Sequence, residues 1–245
     1  MNRPIKPQLI DVKADIRERL LHVAIRLFAE KGINAVSMRA INTAAGSKNK
    51  SAVHYHFGNK LGIVEAIFNM LQEQLFPSFE DLLERIEART EKEDVSVPEI
   101  LMTFYFPFFI INSIEGYGPY VIKLLAKMML DSTPEYQKMF NEHFHQYITR
   151  IYALIKNKLP HKDERHLKFQ LIHSSMATIT GIATIEIMDS TPLGDIRFNS
   201  EIEMLFSYVD YVNGGLTNNE SCMSKIDFNF WQNYFQDKKL SMLRS

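Results

Sequence analysis

Between Ala45 and Lys60 the chain reads AGSKNKSAVHYHFGNK, with three lysines, two histidines flanking a tyrosine, and no acid. Ammonium groups, imidazoles and hydroxyls this close together, unopposed by carboxylates, suit the holding of a polyanion through charge-assisted hydrogen bonds. Elsewhere the chemically capable residues are scattered. His143 and His145 stand two apart on a predicted helix, so they point in different directions and cannot chelate one metal. Ser174-Ser175 lies inside a predicted helix with no base near it in sequence, and Cys222 is the only cysteine, which excludes an internal disulfide and a cysteine-rich zinc site. There is no G-x-S-x-G, glycine-rich phosphate loop or H-E-x-x-H. The sequence therefore predicts no enzyme, no metal and no cofactor.

The basic segment belongs to a basic head. Residues 1–60 contain eleven lysines and arginines against four acids, a net of +7, which leaves −8 on the remainder of a chain whose formal net charge is −1. Such asymmetry points to a head that meets a polyanion and an acidic body with another task. With 245 residues, 46% of them hydrophobic and 23% charged, the chain has the composition of a folded globular protein. The opening MNRPIKPQLIDVK lacks the apolar stretch of a secretion signal, and no run of about 18 apolar residues exists to span a bilayer. A cytoplasmic protein without membrane contact is the expectation.

The elements that must position these residues read as helices almost throughout. Ile16, Leu20, Ala24, Leu27 and Phe28 fall on one face, Asp15 with Glu18 resembles a capping box, and Gly32 supplies a stop, which predicts a helix over about 16–31. Ser37 caps a second short helix ended by Gly46; Asn49 or Ser47 caps a third ended by Gly58. Three short helices with a tight turn between the last two describe a helix-turn-helix unit. From Asn59 a longer helix runs into the body, with Leu61, Val64, Phe68, Leu71 and Leu75 inward, until Pro77 interrupts it. After a charged linker at 91–96, Pro98 opens a helix with the aromatic run Phe104-Tyr105-Phe106-Pro107-Phe108-Phe109. Further helices are predicted over about 119–131, 134–158, 163–188 and 200–213, and an amphipathic tail helix over about 224–239, with Ile226, Phe230, Trp231 and Tyr234 docking on the body. No alternating strand or internal repeat is present. The fold class is all-α: an N-terminal three-helix helix-turn-helix domain at 1–62 and a C-terminal helical domain at 63–245.

The stretch from Ile16 to Ile67 resembles the DNA-binding domain of the tetracycline-repressor (TetR) family. The family pattern is F-A-x-x-G, [TS]-[VM]-R-x-I, A-x-x-A-G and L-Y-x-[HY]-F-x-x-K-x-x-L in order. Its counterparts here are Phe28 to Gly32, Ser37 to Ile41, Asn42 to Gly46 and Val53 to Ile63. Three positions depart from the pattern. One extra residue lies between Gly46 and Phe57, with Ser47-Lys48 in place of the usual apolar residue. His54 occupies the place of the family's phosphate-binding tyrosine, and Asn42 stands where a small alanine is usual, so its amide must find a partner or reach water.

The resemblance implies a homodimer on a double-stranded DNA operator. Lys50, Ser51 and Tyr55 are expected to face base edges in the major groove, Arg39, Lys48, Lys60 and His54 to contact phosphates, and Val53 and Phe57 to fill the small core. Ser37, Asn49 and His56 complete the residues assigned to the DNA surface. The resemblance also implies a cavity in the body for a small hydrophobic effector, assigned to Phe104, Tyr105, Phe108, Asn112 and Met128. It places dimerisation on the last two helices of the body, where Ser174, Thr178 and Gly181 form a small-residue strip; packing of that strip within one subunit is the other reading. The expected function is a repressor released from a palindromic operator by its ligand. A sensor or adaptor without specific DNA, and a helical lipid-binding carrier, remain open on sequence alone.

Overall fold

The computed structural model describes residues 15–74, 76–131, 133–218, 226–227, 229–230 and 232–236. The head is built from α1 (Ile16–Lys31), α2 (Met38–Ala44) and α3 (Ala52–Phe57). Leu20, Ala24, Phe28, Ile41 and Val53 close its core, each fully buried. Local chemistry sets the helix ends. The Ser37 hydroxyl accepts the Ala40 N–H at 3.1 Å, and Gly32, Gly46 and Gly58 take φ of 85°, 63° and 70° where the chain leaves each helix. Asp15 departs from expectation: it stands at the N-cap of α1 but its side chain makes no capping bond, and only its carbonyl accepts, from Arg19 N–H at 3.0 Å.

A single helix, α4 (Lys60–Gln74), leads out of the head, capped by Asn59 Oδ1, which accepts the Gly62 N–H at 2.9 Å. Its inner face is Ile63, Val64, Ile67, Phe68 and Leu71, whereas Leu61, expected inward, is exposed; Leu75 lies outside the described residues. The interruption falls just before Pro77, because α5 (Phe76–Thr90) takes the proline into its first turn, where a missing N–H costs nothing. Next come α6 (Val97–Ser113), α7 (Gly118–Leu130), α8 (Pro134–Lys158), α9 (Glu164–Ala183) and α10 (Glu201–Thr217). Ser96 and Glu99 form a capping box at the start of α6, and the backbone N–H of Ser96, helped by Arg89, draws the Glu99 carboxyl down to about 2. The helix expected over 163–188 ends at Ala183, and Ile185–Asp189 tightens into a 3-10 turn. Of the predicted tail helix, the described part keeps Ile226, Phe230 and Tyr234 about half exposed; Trp231 lies outside the described residues.

Head and body meet along two seams. On the first, His22 of α1 stacks on Tyr117 at 4.9 Å, and Lys127 of α7 donates to the Glu30 carbonyl at 3.0 Å. On the second, Phe68 of α4 stacks on His143 of α8 at 4.7 Å and meets Phe140 and Phe144 edge-on. Burial in these seams holds both imidazoles below the ordinary histidine value. Arg150 of α8 clamps α5 by donating to Glu87 through Nε and Nη2 and to Glu80 through Nη1. No helix among the described residues is long and apolar enough to cross a membrane.

Candidate nucleic-acid interface

The turn between α2 and α3 is held from inside by Asn42, which is 4% exposed. Its Nδ2 donates to the Lys50 carbonyl at 2.6 Å and its Oδ1 accepts the Val53 N–H at 3.2 Å. The longer turn thus acquires a fastening that an alanine could not supply, so two departures from the family pattern explain each other. Around it, Ser47 donates its N–H to the Asn42 carbonyl at 3.1 Å and its hydroxyl to the Asn49 carbonyl at 3.0 Å. Asn49 Oδ1 accepts the Ser51 N–H at 2.9 Å and its carbonyl accepts the Ala52 N–H at 3.1 Å, so Asn49 braces the turn before α3. The N-cap itself is Ser51, whose side chain makes no capping bond, and neither Asn49 nor Ser47, the expected caps, holds that position.

This framework turns one face of the head outward. Ser37, Arg39, Lys48, Asn49, Lys50, Ser51, His54 and Tyr55 are all exposed, with Tyr55 at 83%. No described carboxylate lies within this run of sequence, so the face is cationic and rich in donors. Val53 and Phe57 point the other way, into the core, as expected. His56 is half-buried, its ring edge-on to Tyr55 at 5.0 Å, and so lies at the rim of the face.

Lys60 is placed differently from its assignment. Its ammonium donates to the carbonyls of Ile33 and Asn34 at 3.1 and 2.9 Å, tying the start of α4 to the turn after α1. Two of its three N–H groups are thereby engaged within the head, and its first role is structural. His54 is also tethered, with Nδ1 at 2.9 Å from the Gly58 carbonyl. A carbonyl can only accept, so Nδ1 carries the proton and the neutral ring presents Nε2 as a bare lone pair. Only the imidazolium offers Nε2–H to a phosphate. His54→Phe, which keeps the ring and removes its nitrogens, is expected to weaken operator binding; an unchanged affinity would remove His54 from the contact.

In the body, a cavity of about 160 Å³ opens between α6, α8 and α9. Of the residues assigned to a ligand, Phe104 and Phe108 line it; Tyr105, Asn112 and Met128 do not. Tyr105 instead is fully buried, donating to Ser174 Oγ at 3.3 Å, and Met128 is packed at 1% exposure. Reasoning along the sequence missed the opposite wall, Phe140 and Phe144 on α8 with Ser175, Met176 and Ile179 on α9. Their spacing of three or four residues marked a buried face but not an unfilled one.

The strip Ser174, Thr178 and Gly181 is occupied from within the chain. Ser174 accepts from Tyr105, Thr178 is 1% exposed, and a Cβ on Gly181 would come within 2.1 Å of the Tyr208 hydroxyl of α10. The small residues thus admit α6 and α10 of the same chain, the packing within one subunit that was the other reading of the strip. The outward apolar residues of the last two helices are others: Phe169 and Ile172 on α9, and Ile202, Phe206 and Tyr211 on α10.

Comparison with known proteins agrees with this geometry. Residues 20–67 match the model of the bacterial regulatory proteins, tetR family. The HTH-type transcriptional repressor KstR2 of Rhodococcus jostii (strain RHA1) is 35% identical over 71 residues, 29% of this chain and 34% of that protein. KstR2 of Mycolicibacterium smegmatis is 32% identical over 79 residues, 32% of this chain and 38% of that protein. The matched segment thus spans little more than a third of either repressor. The solved structure of the ketosteroid transcriptional regulator KstR2 of Mycobacterium tuberculosis superposes on 88% of this chain and 100% of its own, with a TM-score of 0.57 at 17% identity. At that identity the likeness is one of fold.

Proposed function

We propose that this member of the tetR family of bacterial regulatory proteins binds a palindromic operator as a homodimer and represses transcription until a small apolar molecule releases it. The observation that carries the reading is the outward face of α2 and α3, where Arg39 on α2, Lys48, Lys50 and Ser51 in the turn before α3, and Tyr55 on α3 stand exposed, with the turn fastened from behind by Asn42. A helix of this kind fits the major groove, with the Lys48 and Lys50 ammonium groups at its N-terminal end for phosphate and base. Repression is the activity named for the two KstR2 relatives and comes to this chain through the matched head.

The exposed Phe169, Phe206 and Tyr211 support dimerisation through the outer face of α9 and α10. Release is supported by the contact between cavity and head: Phe140 and Phe144 line the cavity and pack on Phe68 of α4, the helix that leads to the DNA-binding unit. An occupant that favours a shifted α4 weakens operator binding by the ratio of its two affinities, and operator weakens the occupant equally. At about 160 Å³ the cavity lies below the roughly 300 Å³ at which pockets for drug-sized ligands begin, so a ketosteroid, the compound named for the Mycobacterium tuberculosis relative, does not fit it in this conformation.

The test is selection of a random duplex library by the purified protein. A recovered palindrome with half-sites about 34 to 36 Å apart is the expected result, and recovery of no enriched sequence overturns the reading. On that duplex, Lys48→Ala should weaken all sequences alike and lower the salt slope by about one unit. Lys50→Ala should instead relax one base position at a cost of about 1 to 3 kcal/mol. Equal, sequence-blind losses would withdraw Lys50 from base readout.

A further inference from the structure

On the reading that an effector occupies the body cavity, the wall of that cavity decides its chemical class. Among the described residues the wall holds no Asp, Glu, Lys or Arg; apart from Gln137, Asn141 and Ser175 it is apolar, and four of its side chains are phenylalanines. An ion placed there would lose its hydration and find no countercharge, while a ring would meet faces and edges of other rings. The volume of about 160 Å³ is close to the roughly 150 Å³ of a void that takes benzene.

The polar groups set the remaining requirement. Gln137 Nε2 donates to the carbonyls of Met128 and Asp131 at 3.1 and 2.5 Å, closing the end of α7, so the amide oxygen is the part left for a ligand. The Ser175 hydroxyl donates to the Leu171 carbonyl at 2.7 Å and keeps only accepting capacity. Asn141, exposed, stands at the rim. Two inner acceptors and no inner donor repel a carboxylate and receive a hydroxyl.

We propose that the cavity selects an uncharged, single-ring molecule bearing one hydroxyl or N–H donor, and that it excludes carboxylates and ammonium ions of the same size. The test titrates the full-length protein by calorimetry with benzyl alcohol, benzoate and benzylammonium, which share a ring and differ in charge. Benzyl alcohol should bind saturably, with the two ions on the order of a hundredfold weaker. Ser175→Ala, which removes an acceptor and little volume, should weaken benzyl alcohol about tenfold. Met176→Trp, which fills the cavity from a half-buried position, should keep a cooperative melting transition and lose the binding.

Absence of saturable benzyl alcohol binding, an ion binding as well as the alcohol, or an unchanged affinity in Ser175→Ala overturns the proposal. Operator release, followed separately by fluorescence anisotropy, keeps the two readings apart. Benzyl alcohol binding without release upholds the ligand class and removes the switch, whereas release by benzoate with the alcohol inert removes the class and keeps the switch.

Discussion

Gly62→Ala is expected to destroy operator binding, although residue 62 lies in α4, outside the exposed face of α2 and α3. A Cβ at this position would stand 2.1 Å from the carbonyl oxygen of Phe57 and 3.2 Å from its carbon. Both are backbone atoms at the end of α3, so no side-chain rotation relieves the overlap. Either α4 moves outward or the turn through Gly58, already at φ 70°, must rearrange. Forced overpacking of this kind costs about 1 to 3 kcal/mol, occasionally more. The functional loss should exceed the stability loss, because α4 is the link between head and body. In the dimer proposed above, half-sites a fixed distance apart require both heads to be set at one angle. Circular-dichroism melting and anisotropy on the selected operator read the two effects. A melting temperature and an operator affinity both equal to the parent's would show that the close approach of α3 and α4 is dispensable.

The second large effect is expected at Asn42. Asn42→Ala leaves the Lys50 carbonyl and the Val53 N–H without their partner beneath the turn, and a buried polar group left unpaired costs about 1 to 3 kcal/mol. Asn42→Asp is the sharper test. It keeps the shape and the acceptor for Val53 N–H, but sets an oxygen against the Lys50 carbonyl 2.6 Å away, where the native amide donates. Aspartate should therefore be no better than alanine. If it preserves the melting temperature and operator affinity, the fastening is a matter of shape and the donor is irrelevant. Since Lys50 sits on the fastened residue itself, loosening it should blur base discrimination before it abolishes binding.

Much of this protein was legible in its sequence because the signals are local. Pro134 at the first turn and Leu159-Pro160 after the last predict the limits of α8, Pro134–Lys158, and the structure repeats them. Ser37 and the glycines at 32, 46 and 58 act through atoms three or four residues away, so their roles follow from type and spacing. The exposed face of α3 belongs with these: on a helix of six residues, the burial of Val53 and Phe57 leaves His54 and Tyr55 outside.

What the sequence left open were the partners of side chains that reach across the fold. Lys60 reads as one more cation for phosphate, and only the approach of α4 to the turn at Ile33 and Asn34, 27 and 26 residues earlier, gives its ammonium two carbonyls. Gly181 reads as room for a second subunit until Tyr208, from another helix of the same chain, takes that room. Phe104 and Phe108 read as core by residue type and as cavity through the family resemblance, and the choice depends on how far the side chains of α8 and α9 stop short of them. Helix type and helix ends follow from backbone hydrogen bonds and apolar period, which act within a few residues of chain. The contents of a cavity wall, the company of a half-buried lysine and the space beside a glycine follow from packing between segments distant in sequence, which the tertiary structure alone determines.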